Sequence, residues 1–232
     1  MKKILNIIGL DLIRFPNRDL RRRIKLLKHY KINKVIDVGA NIGQYGKELR
    51  KAGFEGGIIS IEPLHEAFKK LKKTISKDNL WHAHQLALGE STGTVEINVS
   101  KNLYSSSMLD IADAHVDNAP NSAYVSKQET KLDTLDNLFP KVTAPSDNIF
   151  VKLDVQGFEN AVLNGAKDSL KKITGIQIEM SLTELYKNQT NFIEIINRMS
   201  DNNFSLFSLE NGFFNNKTGQ LLQVDGVFFK ND

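Results

Sequence analysis

KVIDVGANIGQ, residues 34–44, is the stretch that decides the fold of this chain. Val35 to Val38 is rich in β-branched residues, which is typical of a strand buried in a parallel sheet. Gly39 and Gly43 follow, and glycine both adopts positive φ and allows a ligand or another backbone to approach closely. The stretch therefore predicts a strand, a tight turn and a helix, an arrangement that binds small ligands in α/β sheets.

Two kinds of cofactor use such a turn, and charge distinguishes them. A dinucleotide needs GxGxxG so that its pyrophosphate reaches backbone N–H groups, but Asn41 and Gln44 stand at the second and third glycine positions. S-adenosylmethionine carries a positive sulfonium and no phosphate, so nearby carboxylates favour it. Asp37 and Glu62 supply carboxylates, although an acid at the place of Glu62 suits the ribose of either cofactor. The stretch favours the methyl donor and leaves the dinucleotide open.

The composition indicates an ordinary soluble α/β protein. The chain has 232 residues, of which 41% are hydrophobic and 25% charged. It contains no cysteine, which excludes disulfides, thiolate metal sites and cysteine nucleophiles. The longest apolar stretches are too short to span a membrane. The first fifteen residues resemble a signal peptide, but Asn6 and Asp11 interrupt them and no small-residue cleavage site follows, so we predict a cytoplasmic protein.

Positive charge is concentrated at the start of the chain. The first 34 residues hold eleven Lys or Arg against two Asp, although the whole chain has a net charge of only +4. Helical periodicity over residues 18–32 places Leu20, Ile24 and Leu27 on one face and basic residues on the others. We interpret this segment as a helix packed on the domain with a solvated basic face. Peripheral contact with a membrane or glycolipid is the alternative, and nucleic acid is less favoured.

From residue 34 onward, strands and helices alternate without a repeat or a low-complexity linker. We therefore divide the chain into a basic amphipathic segment at residues 1–33 and one α/β domain at residues 34–232, with a mostly parallel sheet and helices on both faces. Two apolar segments at residues 204–210 and 221–230, joined by a turn-rich connection, predict an antiparallel hairpin. An antiparallel C-terminal strand is typical of class I methyltransferases rather than of plain dinucleotide-binding sheets.

Four further elements are predicted between these ends. We expect a third strand at residues 80–88 and a long irregular loop at residues 101–128, which we interpret as a ligand-binding segment because long loops in compact domains are usually functional. A short strand or helical turn is expected at residues 132–139. A glycine turn at Gly157 should lead into a helix that runs to Leu170.

Asp154 and Glu179 are the acidic residues best placed for chemistry. Each lies near the carboxyl end of an apolar strand, where ligands bind in open α/β sheets. Neighbouring strands lie about 4.8 Å apart, so the two side chains converge on one pocket if their strands are adjacent. The sequence assigns no metal site, but it leaves open whether these two carboxylates hold a divalent ion.

Seven segments together resemble FkbM-family methyltransferases in order and spacing: DVGANIGQ at 37–44, SIEP at 60–63, ALG at 87–89, SSSML at 105–109, KLDVQGFE at 152–159, IEMSLTELY at 178–186 and LLQVDGVFF at 221–229. The resemblance covers most of the chain. It implies a Rossmann-like, seven-stranded class I domain that uses S-adenosylmethionine. The family's usual chemistry is methylation of a hydroxyl on a sugar or a secondary metabolite.

The same resemblance implies a donor site formed by Asp37, Gly39, Asn41, Gln44, Glu62, Ala87 and Leu88. The first four would hold the methionine portion, Glu62 would bind the ribose, and Ala87 and Leu88 would lie beside the adenine. Asp154 would face the centre of methyl transfer. The acceptor is not identified, and the basic N-terminal helix favours a glycan or lipid-linked acceptor.

Methyl transfer is an in-line displacement, so the protein mainly orients donor and acceptor. A neutral hydroxyl must also lose a proton, and our candidates for the general base are Asp154, Glu179 and His115, in that order. The absence of cysteine excludes methylation of cytosine C5, and DVQG stands where amine-methylating enzymes of nucleobases carry an NPPY-like tetrapeptide. The alternative to an enzyme is a noncatalytic or dinucleotide-binding module with this fold. No feature predicts the oligomeric state.

Overall fold

The computed structural model describes residues 15–231 of the chain. Its α-helices are α1 (Arg18–His29), α2 (Gln44–Lys51), α3 (His65–Ile75), α4 (Asp113–Asn118), α5 (Leu135–Val142), α6 (Glu159–Asn164) and α7 (Phe192–Asp201). Its strands are β1 (Lys34–Val38), β2 (Gly57–Ile61), β3 (Trp81–His84), β4 (Ala87–Leu88), β5 (Gly93–Ser100), β6 (Tyr124–Asp133), β7 (Ile149–Leu153), β8 (Gly175–Ser181), β9 (Phe204–Asn211) and β10 (Gln223–Lys230). Residues 1–14, which make up most of the segment that resembles a signal peptide, lie outside this range, so the structure does not test that prediction.

A seven-stranded sheet forms the centre of the molecule. Its strand order is β3-β2-β1-β7-β8-β10-β9. The strands from β3 to β8 pair in parallel, whereas β10 is antiparallel to both β8 and β9. The order reverses between β1 and β7, which is the switch point where ligands bind at the carboxyl ends of the strands. The predicted class I sheet and its antiparallel C-terminal hairpin are confirmed.

Helices bury both faces of this sheet. On one face, apolar side chains of α5, α6 and α7 pack against β1, β7 and β8 in a continuous core. On the other face, α1, α2 and α3 pack against the same sheet, and Leu20, Ile24 and Leu27 of α1 lie in that core. Buried Arg23 of α1 also pairs with buried Glu210 of β9. The apolar face of α1 is thus used within the fold, while its exposed side chains include Arg18, Arg21, Lys25 and Lys28.

The predicted strand at residues 80–88 is wrong as one element. Only Trp81 to His84 pairs with β2, whose last paired residue is Ile61. Pro63 follows shortly after and lacks an N–H group, so β2 cannot continue the ladder. The chain then turns, and Ala87 and Leu88 pair with β6 in a separate three-stranded sheet of order β4-β6-β5.

The segment at residues 101–128 is more regular than predicted. It contains α4, a 3-10 turn at Pro120–Ser122 and the first residues of β6. The strand β6 extends from Tyr124 to Asp133 because β5 pairs with it along its length. The short element predicted at residues 132–139 is therefore the end of a long strand followed by α5, and the helix predicted to run to Leu170 ends at Asn164. Among the helices within residues 15–231, none is both long and apolar enough to cross a membrane.

Candidate active site

The turn after β1 packs directly against the end of β7. Gly39 has a φ of +80°, and a Cβ atom at this position would lie 1.8 Å from the backbone oxygen of Asp154. The Asp154 N–H in turn donates to the Val38 oxygen at 3.1 Å. Only a residue without a side chain allows these two strand ends to approach so closely, and this approach forms the floor of the site.

Substitution of Gly39 by alanine tests this packing. We expect Gly39→Ala to destabilise the fold by roughly 2–4 kcal/mol, because it adds a clash with the Asp154 backbone to the strain of a positive φ. The matched control is Gly53→Ala, since Gly53 also has a positive φ, +89°, but a Cβ atom added there would meet nothing within 4 Å. Urea unfolding measures both variants. Equal losses of stability would show that the close approach is not what requires glycine.

The backbone N–H groups of this turn already have partners inside the protein. Gly39 N and Ala40 N both donate to the Ile61 oxygen at 3.0 Å, and Gly43 N donates to the Ala40 oxygen at 2.8 Å. Asn41 N donates to the Glu62 carboxylate at 2.8 Å, and Ile42 N donates to the side-chain oxygen of Asn41 at 2.9 Å. These N–H groups are therefore not available to a pyrophosphate at this turn, and the carboxylate of Glu62 lies beside them.

A cavity of about 380 Å³ lies above the turn, at the carboxyl ends of β1, β2, β7 and β8. All seven predicted donor-site residues line it: Asp37, Gly39, Asn41, Gln44, Glu62, Ala87 and Leu88. Asp154 and Glu179 line it as well, whereas His115 is not among the lining residues. The volume falls within the range of small-molecule sites, about 300–1,000 Å³.

Asp37 is a fully buried carboxylate that faces this cavity. Neither of its oxygens has a hydrogen-bond partner within the part of the chain that the structure describes. Burial raises the pKa of Asp37 to about 6, although the charge of nearby Lys152 opposes this shift. A buried carboxylate without partners is costly in isolation, so the site is suited to a ligand that brings a cation or hydrogen-bond donors to Asp37.

Glu62 connects the turn to the strand β2. Its Oε2 accepts from Asn41 N and its Oε1 accepts from Leu64 N, both at 2.8 Å. Burial raises the pKa of Glu62 to about 7, and these two hydrogen bonds oppose the shift. Each carboxylate oxygen retains a further acceptor position, so Glu62 can still accept from ligand hydroxyl groups while it holds the turn.

Asp154 and Glu179 converge on one amide group. The side-chain nitrogen of Gln156 donates to Asp154 Oδ1 at 2.7 Å and to Glu179 Oε2 at 2.9 Å. The Tyr186 hydroxyl donates to the side-chain oxygen of Gln156 at 2.6 Å, which orients the amide nitrogen towards the two carboxylates. Burial raises the pKa of Glu179 well above its usual value, and the charges of Asp154 and Glu159 add to this. A raised pKa makes ionised Glu179 a stronger base than an ordinary carboxylate.

Lys152 is a site residue that the sequence analysis missed. Its ammonium group lies 2.7 Å from Asp154 Oδ2 and 5.1 Å from the centre of the Tyr45 ring, and it lines the cavity. Burial alone would lower the pKa of Lys152, but Asp154, Asp37 and Asp225 together raise it above the usual range. A lysine inside the apolar strand IFVKLD was the available signal, because a charge in a fully buried strand requires partners.

His115 lies away from these residues. It belongs to α4 rather than to a loop, it is buried, and its ring contacts Tyr186 and Phe213 with centroids 5.1 and 5.6 Å apart. Burial lowers the pKa of His115 to about 4, which favours the neutral ring. Such surroundings suit a packed aromatic side chain rather than a base that contacts a substrate.

The SSSML segment, residues 105–109, also contributes to the cavity wall. Ser106, Ser107 and Met108 line the cavity together with Tyr104. The Ser107 hydroxyl donates to the Gln156 backbone oxygen at 2.7 Å, so this segment is attached to the residue that bridges Asp154 and Glu179. Among residues 15–231, no group of three or more His, Asp or Glu side chains is arranged to hold a metal ion.

A family model described as the Methyltransferase FkbM domain matches residues 37–206. The chain belongs to the FkbM methyltransferase family. No curated protein matches its sequence significantly. The matched residues include every residue given above as lining the cavity, with the turn after β1 and the Asp154–Glu179 pair.

Solved structures share the fold of this FkbM methyltransferase at low sequence identity. An uncharacterized protein from Listeria monocytogenes serotype 4b has a TM-score of 0.52 and 9% identity, over 93% of this chain and 68% of its own. A protein from Listeria monocytogenes assigned as an S-adenosylmethionine-dependent methyltransferase has a TM-score of 0.51 and 9% identity, over 92% and 98%. TrmK from M. capricolum, in complex with S-adenosylhomocysteine, has a TM-score of 0.51 and 10% identity, over 94% and 70%. These likenesses show the class I fold.

Proposed function

We propose that this FkbM methyltransferase transfers a methyl group from S-adenosylmethionine to a hydroxyl group of a sugar, a glycan or a related metabolite. The observation that carries the proposal is the position of the Asp154–Glu179 pair beside the turn after β1. Both carboxylates of the pair line the cavity and can accept a hydrogen bond from the hydroxyl group of an acceptor. The raised pKa of Glu179 makes it the stronger candidate for the general base, because the Asp154 carboxylate is already paired with Lys152.

Three features support S-adenosylmethionine as the donor. The occupied N–H groups of the turn leave no place for a pyrophosphate, and Glu62 would repel one. The unpartnered carboxylate of Asp37 suits the ammonium group of the methionine portion. TrmK, which has the same fold, is described with S-adenosylhomocysteine bound. When bound, the donor supplies an electrophilic methyl group, and the protein's part is to align it with the acceptor oxygen.

We assign the parts of the donor to the apolar and the polar residues of the cavity separately. Ala87, Leu88 and Ile97 offer an apolar surface for the adenine, and Glu62 offers carboxylate oxygens to the ribose. The segment that carries Ser107 and Met108 would cover the acceptor. Exposed basic residues on α1 are compatible with the predicted contact to a glycolipid or membrane surface, which stays a prediction.

Calorimetric titration with S-adenosylhomocysteine tests the donor site. We expect micromolar affinity for S-adenosylhomocysteine and no binding of NAD. Asp37→Asn should weaken the binding of S-adenosylhomocysteine by about tenfold, because it removes a charge-assisted hydrogen bond to the ligand ammonium. Glu55→Gln, at an exposed residue outside the cavity, is the matched control. Tight binding of NAD with none of S-adenosylhomocysteine would favour the dinucleotide-binding alternative.

Transfer of an isotope-labelled methyl group tests the reaction itself. The protein is incubated with labelled S-adenosylmethionine and a panel of neutral sugars, sugar acids, glycolipids and polyketide alcohols, and the products are identified by mass spectrometry. We expect label in an ether-linked methyl group that is stable to base. Label on nitrogen or as a base-labile ester would contradict hydroxyl methylation while leaving the donor site intact.

A further inference from the structure

The cavity is acidic in a chain that is basic overall. The net charge of the chain is +4. Among the residues that the structure describes, the ionisable carboxyl groups that line the cavity are Asp37, Glu48, Glu62, Asp154 and Glu179, and the basic side chain that lines it is Lys152. The excess of carboxylates is local to the cavity, so it is a property of the ligand site rather than of the surface.

Lys152 neutralises one of these five carboxylates, Asp154, and leaves an excess of negative charge at the others. Its ammonium group is paired with Asp154 at 2.7 Å, its side chain is only 9% exposed, and it lies over the ring of Tyr45. Tyr45 is held in turn by a hydrogen bond from its hydroxyl to Gln177 at 3.0 Å. Meanwhile, the fully buried carboxylate of Asp37 has no hydrogen-bond partner among the described residues. Within residues 15–231, Lys152 is thus the one basic side chain that lines the cavity, and Asp154 already holds it.

We infer that the cavity selects its ligands by charge and binds cationic S-adenosylmethionine more tightly than the neutral product S-adenosylhomocysteine. This inference rests on the proposed function. Both ligands carry the same ammonium and carboxylate groups, so they differ in the sulfonium charge and the methyl group. The Asp154–Glu179 pair, at the carboxyl ends of β7 and β8, is the part of the cavity that we assign to this discrimination.

The reaction itself then weakens the binding of the spent donor. The S–CH₃ bond breaks and its electron pair stays on sulfur, while the acceptor oxygen forms the new O–CH₃ bond and its proton passes to a carboxylate. Once that proton leaves for solvent, the site has regained its negative charge but holds a ligand without the sulfonium. Charge selection thus favours exchange of S-adenosylhomocysteine for fresh S-adenosylmethionine.

Proton release should accompany the binding of the cationic donor. The titratable and charged groups around the site are Arg23, Asp37, Tyr45, Glu48, Glu62, Tyr104, Lys152, Asp154, Glu159, Glu179, Tyr186, Glu210 and Asp225. Burial raises the pKa of Asp37 to about 6 and that of Glu62 to about 7. A bound cation stabilises the ionised form of such groups, so its affinity should rise as the pH rises through this range.

Calorimetry of both ligands with the intact protein, without acceptor, tests the inference. At about pH 8 we expect S-adenosylmethionine to bind at least about tenfold more tightly than S-adenosylhomocysteine, and at about pH 5.5 we expect the ratio to approach one. Repeating the titration near pH 6.5 in buffers of different ionisation enthalpy should show protons released by S-adenosylmethionine and few by S-adenosylhomocysteine.

Variants identify the groups responsible. Glu179→Gln and Asp154→Asn should each reduce the affinity ratio at pH 8 by about threefold or more, since each removes one negative charge and keeps the shape of the side chain. Glu55→Gln should leave the ratio unchanged. A ratio of one or less in the wild-type protein at pH 8, or a ratio that neither variant lowers, would overturn the inference. Failure of both ligands to bind would instead contradict the proposed function, on which the inference depends.

Discussion

Substitution of Lys152 by methionine is expected to destabilise the fold by about 3–5 kcal/mol at pH 8, the usual result of removing one partner from a buried ion pair. Methionine has a similar length but no charge. It would leave Asp154 without its cation at 2.7 Å, and Asp37 and Asp225 without the ammonium group that opposes the burial effect on their pKa. The expected loss is therefore larger than for a lysine that only covers apolar surface.

The loss should depend on pH in a defined direction. Burial raises the pKa of Asp37 to about 6 and also raises the pKa of Asp225, and loss of Lys152 would raise both further. A carboxyl group whose folded pKa lies above its unfolded pKa destabilises the fold as the pH rises through that range, because the unfolded state then releases its proton more readily. At about pH 5 Asp37 is largely protonated, so the cost of Lys152→Met should be smaller than at pH 8.

Urea unfolding of the wild-type protein and the variant at both pH values measures this difference. Lys69→Met is the control, since Lys69 is exposed on α3 and should change stability little at either pH. A cost for Lys152→Met that is the same at pH 5 and pH 8 would show that the lysine contributes through packing rather than through its charge.

The central sheet could be predicted from sequence because its signals are local. β-branched runs marked β1, β2, β7 and β8, and glycine after β1 and β7 marked the turns that follow. The C-terminal hairpin was visible in the same way, as two apolar segments with a short connection. The strands β1, β2, β7 and β8 are largely buried, and a turn-rich connection at residues 212–222 joins β9 to β10, so pattern and structure coincide.

The small sheet could not be predicted, because pairing between distant segments creates it. Val95 and Val99 of β5 alternate with polar residues, which is typical of a half-exposed strand, but Tyr124 to Asp133 is a polar, charged segment when taken alone. It becomes β6 only because β5 supplies the backbone partners. The split between β3 and β4 has the same origin, since Ala87 and Leu88 pair with β6 and not with β2.

Some of the site residues could likewise be predicted from local sequence, and others could not. Asp37, Glu62, Asp154 and Glu179 lie at strand ends, and strand ends of a parallel sheet meet at one edge, so their convergence followed from the fold class. The bridging role of Gln156 did not, because it depends on side-chain rotamers and on the hydroxyl of Tyr186, thirty positions along the chain. His115 was a candidate because it is a histidine in a segment interpreted as a ligand-binding loop, but that segment forms the helix α4, which buries the ring away from the cavity.

Substitution of Glu179 by glutamine is expected to reduce methyl transfer by about 10²–10⁴-fold if Glu179 is the general base, the usual contribution of a positioned base. Glutamine keeps an oxygen that can accept from the Gln156 amide, so the hydrogen bond that now joins the two side chains at 2.9 Å can persist. It cannot take the proton of an acceptor hydroxyl. The loss should appear in kcat, with the binding of S-adenosylhomocysteine largely retained.

The pH profile separates Glu179 from Asp154 in this role. Because burial and the charge of Asp154 raise the pKa of Glu179, the wild-type rate should increase with pH through a range well above that of an ordinary carboxylic acid. Asp154→Asn would remove one of the charges that raise this pKa, so the remaining activity should reach its plateau at a lower pH than in the wild-type protein. The measurement is the rate of labelled methyl transfer from about pH 5 to pH 9 for the wild-type protein and both variants. A Glu179→Gln variant that keeps the wild-type rate and profile would assign the proton transfer to Asp154 or to solvent, and the carboxylate at position 179 would then act through its charge on the donor alone.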